Sequence, residues 1–145
     1  MIALIQRVTR AQVEVEGRSV GAIERGVLAL IGVRRDDDEG NAQRLVERVL
    51  AYRIFADEAG RMNRSVRDIE GGLLLVPQFT LAADTHKGTR AGFSAGAEPG
   101  EAQRLFDHCV SLARARHPRV AAGAFGAHML VSLVNDGPVT FWLEG

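Results

Sequence analysis

One cysteine, one tryptophan and one tyrosine stand among 145 residues, and the chain has a single lysine, Lys87. The lone Cys109 cannot close an intramolecular disulfide or build a multi-cysteine zinc site, and it is expected in the core. The histidines His86, His108, His117 and His128 are scattered, with no i, i+4 pair and no accompanying carboxylate, so no metal centre is expected. No apolar run approaches the ~18 residues that a membrane span needs, and Met1 to Arg7 lacks the basic and long apolar regions of a signal peptide. A cytoplasmic protein with no membrane partner is expected. Charge of one sign is lacking too: 18 basic residues balance 18 acidic ones, so any nucleic acid would be met by a local patch rather than by the whole molecule. The bias toward arginine suits bidentate phosphate recognition, but a GC-rich coding sequence produces the same bias, and that explanation is preferred.

What is present describes a folded domain. Hydrophobic residues make up 46% and charged residues 25%, close to globular averages, which disfavours disorder and coiled coil. A chain of this length buries roughly 68 to 70% of its unfolded surface around one core. Period-two alternation at Val13 to Glu16, a turn at Gly17-Arg18-Ser19, and apolar runs at Val20 to Ile23 and Val27 to Val33 predict an N-terminal meander. The acidic run Asp36 to Glu39 precedes a helical stripe of Ala42, Leu45, Val46, Val49, Leu50 and Arg53, where acids at a helix start accept its unpaired amide hydrogens. A short strand at Ile54-Phe55, a turn at Asp57 to Gly60 and a buried strand at Leu73 to Val76 follow. Ala83 to Gly100 reads as a long loop of the kind that is usually functional or mobile. A second helix starts after Pro99, with Ala102, Leu105, Phe106, Cys109, Leu112 and Ala113 on one stripe, and ends near His117-Pro118. Met129 to Val134 and Val139 to Leu143 read as two apolar strands around a turn at Asn135-Asp136-Gly137. The expected fold is α/β: a mostly antiparallel or mixed sheet, or partial barrel, flanked by two helices in a single domain spanning 1–145.

Generic catalytic signatures fail: there is no GxSxG elbow, no phosphate loop, no GxGxxG after a strand and no His/Cys pairing. Two breaks remain. Leu73 to Val76 runs into Pro77-Gln78-Phe79-Thr80-Leu81, and the C-terminal apolar region is interrupted by Asn135-Asp136-Gly137-Pro138-Val139-Thr140. Each has a structural reading, a strand ending at proline and a turn at Asp-Gly, and composition alone favours that reading.

As literal strings, these two segments together with Gln6-Arg7-Val8, Asp36-Asp37-Asp38 and Tyr52-Arg53-Ile54-Phe55 resemble the D-aminoacyl-tRNA deacylase family over essentially the whole chain. The resemblance implies a metal-free homodimer, without cofactor, that hydrolyses the ester between a D-amino acid and the terminal ribose of tRNA. It implies removal of glycine from mischarged tRNA as well. One departure is visible: the family's first motif usually begins with Ser, and this chain has Pro77, which lacks both a hydroxyl and an amide hydrogen. The intact Gln78-Phe79-Thr80 keeps the catalytic reading.

Ester hydrolysis passes through a tetrahedral oxyanion, and backbone amides of Phe79 and Thr80 fixed at a strand end could each stabilise it by roughly 3 kcal/mol. A threonine nucleophile needs an adjacent base, and none is placed by the sequence, so Thr80 is expected to position rather than attack, with water as the attacking group. The resemblance further implies that the substrate's ribose 2′-hydroxyl supplies the missing help. It implies that Gly137 and Pro138, joined by a cis bond, enter the partner subunit's pocket and bar an L side chain, and that Arg7 anchors that element. Lys87 and Arg90, on the long loop, are candidate tRNA phosphate contacts. The competing reading is a non-catalytic RNA or small-ligand binding module on the same fold. DNA is not an expected partner.

Overall fold

The first strand, β1, runs Ile2–Val15 and is the spine of the molecule. On one edge it pairs antiparallel first with β3 (Gly26–Gly32) and further along with β2 (Arg18–Ile23). On the other edge it pairs along nearly its whole length with the last strand, β8 (Leu130–Glu144). Strand β6 (Gly72–Pro77) lies parallel to β3, and β7 (Val120–Ala122) parallel to β6. A Cβ added at Gly21 of β2 would sit 2.8 Å from the Ala122 carbonyl of β7, so the sheet curls almost into a closed barrel. A separate hairpin joins β4 (Phe55–Ala56) to β5 (Met62–Arg64) around the expected turn at Asp57 to Gly60. The structure is a computed structural model and describes residues 1–145.

The apolar runs explain the layering. Strands β3 and β6 are buried on both faces, so their sequences are continuous rather than alternating. Val27, Ala29, Ile31, Leu73 and Leu75 face the helices α1 (Glu39–Ala51) and α2 (Pro99–Arg116) in one large core. Leu28, Leu74 and Val76 join Val8, Ala11 and Val13 in a smaller core inside the barrel. Helix α1 buries Ala42, Leu45, Val46, Val49 and Leu50, the stripe read from the sequence; Arg53 falls outside it because the backbone turns extended at Tyr52. The acidic run divides its labour. Asp38 is the N-cap, accepting the Asn41 amide at 2.9 Å, whereas Asp37 accepts from the Arg34 amide at 2.6 Å and from the Met1 amine at 2.5 Å. Helix α2 buries Cys109 completely, and desolvation raises its thiol to about 12.

The mixed sheet, partial barrel and two flanking helices are as expected. Four details differ. The first three strands do not form the expected meander, because β1 and not β2 lies between the other two. Strand β7 and a 3-10 turn at Phe79–Ala82 were not legible in the sequence. The C-terminal region is also one strand rather than two strands around a turn. Both halves of β8 run antiparallel to β1, and between the pairs Gln6↔Thr140 and Val8↔Asn135 four residues, Asp136 to Val139, stand opposite Arg7 alone. The chain bulges outward there without reversing.

Candidate active site

The C-terminal ends of the parallel strands β3 and β6 open into a cavity of about 360 Å³, the position where ligands enter sheets of this kind. Ile31, Val33 and Pro77 come from the strand ends and their extensions. Ala102 and Phe106 come from the first turns of α2, and Phe93, Ala97 and Phe125 close the remaining sides. Two backbone links bind the loop segment 95–97 to the extension of β3: the Arg35 amide donates to the Ala95 carbonyl at 3.0 Å, and the Ala97 amide donates to the Val33 carbonyl at 3.1 Å.

Gln78 and Phe79 line this cavity. The Gln78 amide is committed to the Ile31 carbonyl at 2.7 Å. The next two amides, of Phe79 and Thr80, open a 3-10 turn, and the first amides of a helical turn have no partner within it. The turn thus leaves two adjacent donors free beside the cavity. Thr80 does not line the cavity; its hydroxyl accepts a hydrogen bond from the Gln78 side-chain amide at 2.5 Å. Pro77 is accommodated because it ends β6 with its ring near Gly123, just past β7, where no ladder hydrogen bond is required of it. Phe79 is 63% exposed and packs against Phe93, ring centroids 5.3 Å apart.

Gly137, Pro138 and Arg7 assemble elsewhere. The Gly137–Pro138 peptide is cis and both residues are exposed at the crest of the β8 bulge. Arg7 holds its base: Nε donates to the Asp136 carbonyl and a terminal nitrogen to the Ile54 carbonyl, each at 2.8 Å. The sequence reading missed Asn135, whose side chain spans the bulge. It donates to the Arg7 carbonyl at 2.9 Å and to the Val139 carbonyl at 3.0 Å, and it accepts from the Val139 amide at 3.2 Å. The known tendency of asparagine to bond nearby backbone was the available signal. The bulge is level with Val27 in β3, and the cavity with Ile31. Four residues therefore separate them along the strands, about 13 Å, with three strand spacings, about 14 Å, across. One chain does not bring the two motifs together.

Lys87 and Arg90 lie on an exposed excursion pinched at its base by the paired backbones of Asp84 and Gly92. Neither lines the cavity. The charged residues that do are Arg35 and Glu98, and the sequence reading named neither. With one carboxylate and no His or Cys, the lining is a poor donor set for a metal.

A cavity flanked by free backbone donors, with little ionisable chemistry of its own, is suited to meeting negative charge that develops on a bound oxygen. The family model described as D-Tyr-tRNA(Tyr) deacylase matches residues 4–144. A protein of Thioalkalivibrio sulfidiphilus named D-aminoacyl-tRNA deacylase is 68% identical over 144 residues, 99% of this chain and 97% of that protein. One of the same name from Vibrio cholerae serotype O1 is 60% identical, with 99% of each chain covered. Among solved structures, "c-Myc DNA Unwinding Element Binding Protein" superposes with a TM-score of 0.95 at 36% identity, covering 100% of this chain and 99% of that one. A probable eukaryotic D-amino acid tRNA deacylase shares the fold, with a TM-score of 0.86 at 18% identity over 99% of this chain and 98% of its own. The chain belongs to the D-aminoacyl-tRNA deacylase family, a family of enzymes.

Proposed function

We propose that this protein hydrolyses the ester of D-aminoacyl-tRNA, and of glycyl-tRNA mischarged on other tRNAs, releasing the free amino acid and tRNA in the cytoplasm. The observation that carries the reading is the pair of free amides at Phe79 and Thr80 beside a cavity fed by the Gln78-Phe79-Thr80 motif. Developing negative charge on the ester oxygen is met by donors that need not reorganise. Water attacks, aided by the neighbouring ribose 2′-hydroxyl of the substrate, and Thr80 holds Gln78 in place through its hydroxyl.

Chirality belongs to the other motif. In a two-fold dimer the Gly137-Pro138 crest of one subunit enters its partner's cavity, and its carbonyls face the substrate ammonium and leave no room for an L side chain. The separation of the two motifs within one chain supports this arrangement. So does β8 itself, whose outer edge pairs with nothing in the chain and which exposes Leu130, Val131, Val134 and Trp142. A long open apolar edge of this kind is a template for pairing. Lys87 and Arg90 reach phosphates of the acceptor end.

The name of the 36%-identical structure raises DNA binding for that protein; here the neutral overall charge gives no general attraction to a duplex. The deciding experiment offers D-, L- and glycyl-tRNA in parallel. Release of amino acid from D- and glycyl-tRNA with L-aminoacyl-tRNA intact is expected, whereas retention of tRNA without any release would establish a binding module instead.

A further inference from the structure

We propose that Arg35 binds the phosphodiester linking the terminal nucleotide of the substrate to the rest of the acceptor strand. The inference rests on the deacylase reading and assigns a further substrate contact within it. Arg35 is the one cation in the cavity lining, which is otherwise apolar or neutral apart from Glu98. Its backbone is fixed by the bond to Ala95, yet its guanidinium makes no ion pair. The neighbouring Arg34 is spent, held two-pronged by Glu144 at 2.8 and 3.3 Å. Of the four acids that follow Arg35, Asp36 makes no ion pair with it and the other three are engaged. Asp37 holds the Arg34 amide and the Met1 amine, Asp38 caps α1, and Glu39 pairs with Arg104 at 2.7 Å. Five donors therefore stand free at the rim.

The substrate fixes what they can take. The amino acid's carboxyl is esterified and its free group is an ammonium, so the anions that an aminoacylated strand end brings are backbone phosphates. A guanidinium fork matches a phosphodiester. Lys87 and Arg90 do not line this space.

The test compares 3′-O-D-aminoacyl-adenosine, which has no phosphate, with a D-aminoacyl trinucleotide CCA. Wild-type protein is expected to hydrolyse both. Arg35→Ala should raise KM about tenfold on the trinucleotide while leaving kcat within about twofold and the nucleoside substrate unaffected. The slope of log KM against log salt should fall by about 0.7, the share of one phosphate on a single strand. Arg35→Lys should recover part of the loss, since it restores charge without the fork. Equal loss on both substrates, or no loss on either, overturns the assignment. Wild-type protein that releases amino acid from neither substrate nor from D-aminoacyl-tRNA overturns the deacylase reading itself.

Discussion

Phe79 offers a substitution that separates backbone from side chain. As the first residue of a 3-10 turn, preceded by Gln78 at φ −140 and ψ 83, it can be replaced by proline without breaking the turn, because proline fits the first position and the residue before it lies outside the helical region that a following proline disfavours. Phe79→Ala removes the ring alone; Phe79→Pro removes the ring and the amide hydrogen. If that amide serves the oxyanion, kcat of Phe79→Pro falls a further 10²- to 10³-fold below that of Phe79→Ala, read by steady-state deacylation of D-aminoacyl-tRNA. Glu98 is the one carboxylate in the lining and hence the one side chain there able to act as a base. With the ribose hydroxyl in that role, Glu98→Gln keeps kcat within about threefold; a loss of 10²-fold or more would transfer the role to Glu98. Cys109 offers a control on folding. Its thiol is raised to about 12 by burial, from a usual value near 9, so at pH 8 it is neutral and inaccessible to iodoacetamide until the chain unfolds. Above pH 9 the unfolded chain releases this proton while the folded one retains it. The contribution of Cys109 to stability is therefore full below pH 9 and declines as the pH rises toward 12, a loss that Cys109→Ala should not show in pH-dependent melting.

At the scale of elements, the bulge on β8 is a self-contained device. Asn135, on one leg, bonds Val139 on the other and the facing Arg7 carbonyl of β1, and Arg7 bonds its base, so its carbonyl directions are set by side chains outside the crest. A Cβ at Gly137 would fall on the amide nitrogen of Val139, a backbone atom that cannot yield without reshaping the crest. Gly137→Ala is expected to lower kcat/KM for D substrates at least tenfold with little change in melting temperature, because the crest is exposed and buries no core. An unchanged kcat/KM would detach the crest from the site. This bulge is also where the sequence misled. Asn-Asp-Gly-Pro between apolar runs carries every signal of a reversal, and what overrode it was pairing with β1, a partner more than a hundred residues away. The helices, by contrast, were legible because their stripes repeat locally: Ala42 to Leu50 and Ala102 to Ala113 needed no knowledge of the rest of the chain. The Gln78-Phe79-Thr80 motif was legible only as a string. The cavity around it was not, since Arg35, Phe93, Glu98 and Phe125 come from segments without periodicity that long-range backbone links bring together.

For the whole molecule, the proposed function places two chains around each site, because the Gln78-Phe79-Thr80 turn and the Gly137-Pro138 crest lie apart in one chain. In a two-fold pair, each cavity takes its Gln78-Phe79-Thr80 turn from one subunit and its Gly137-Pro138 crest from the other. Damage to the two motifs is then separable. A dimer of Phe79→Pro chains has intact crests and two damaged cavities; a dimer of Gly137→Ala chains has intact cavities and two damaged crests. When the two impaired proteins are unfolded together and refolded at equal amounts, random pairing makes about half of the dimers mixed. In each mixed dimer one site receives both damaged motifs and the other receives neither. Activity should therefore return to about a quarter of the wild-type rate per chain, with a light-scattering mass twice the 15.7 kDa of the chain. Refolding each variant alone should restore nothing. If the mixture stays as inactive as its components, or if a monomer of full activity is found, each site is complete within one chain and the shared-site arrangement is wrong.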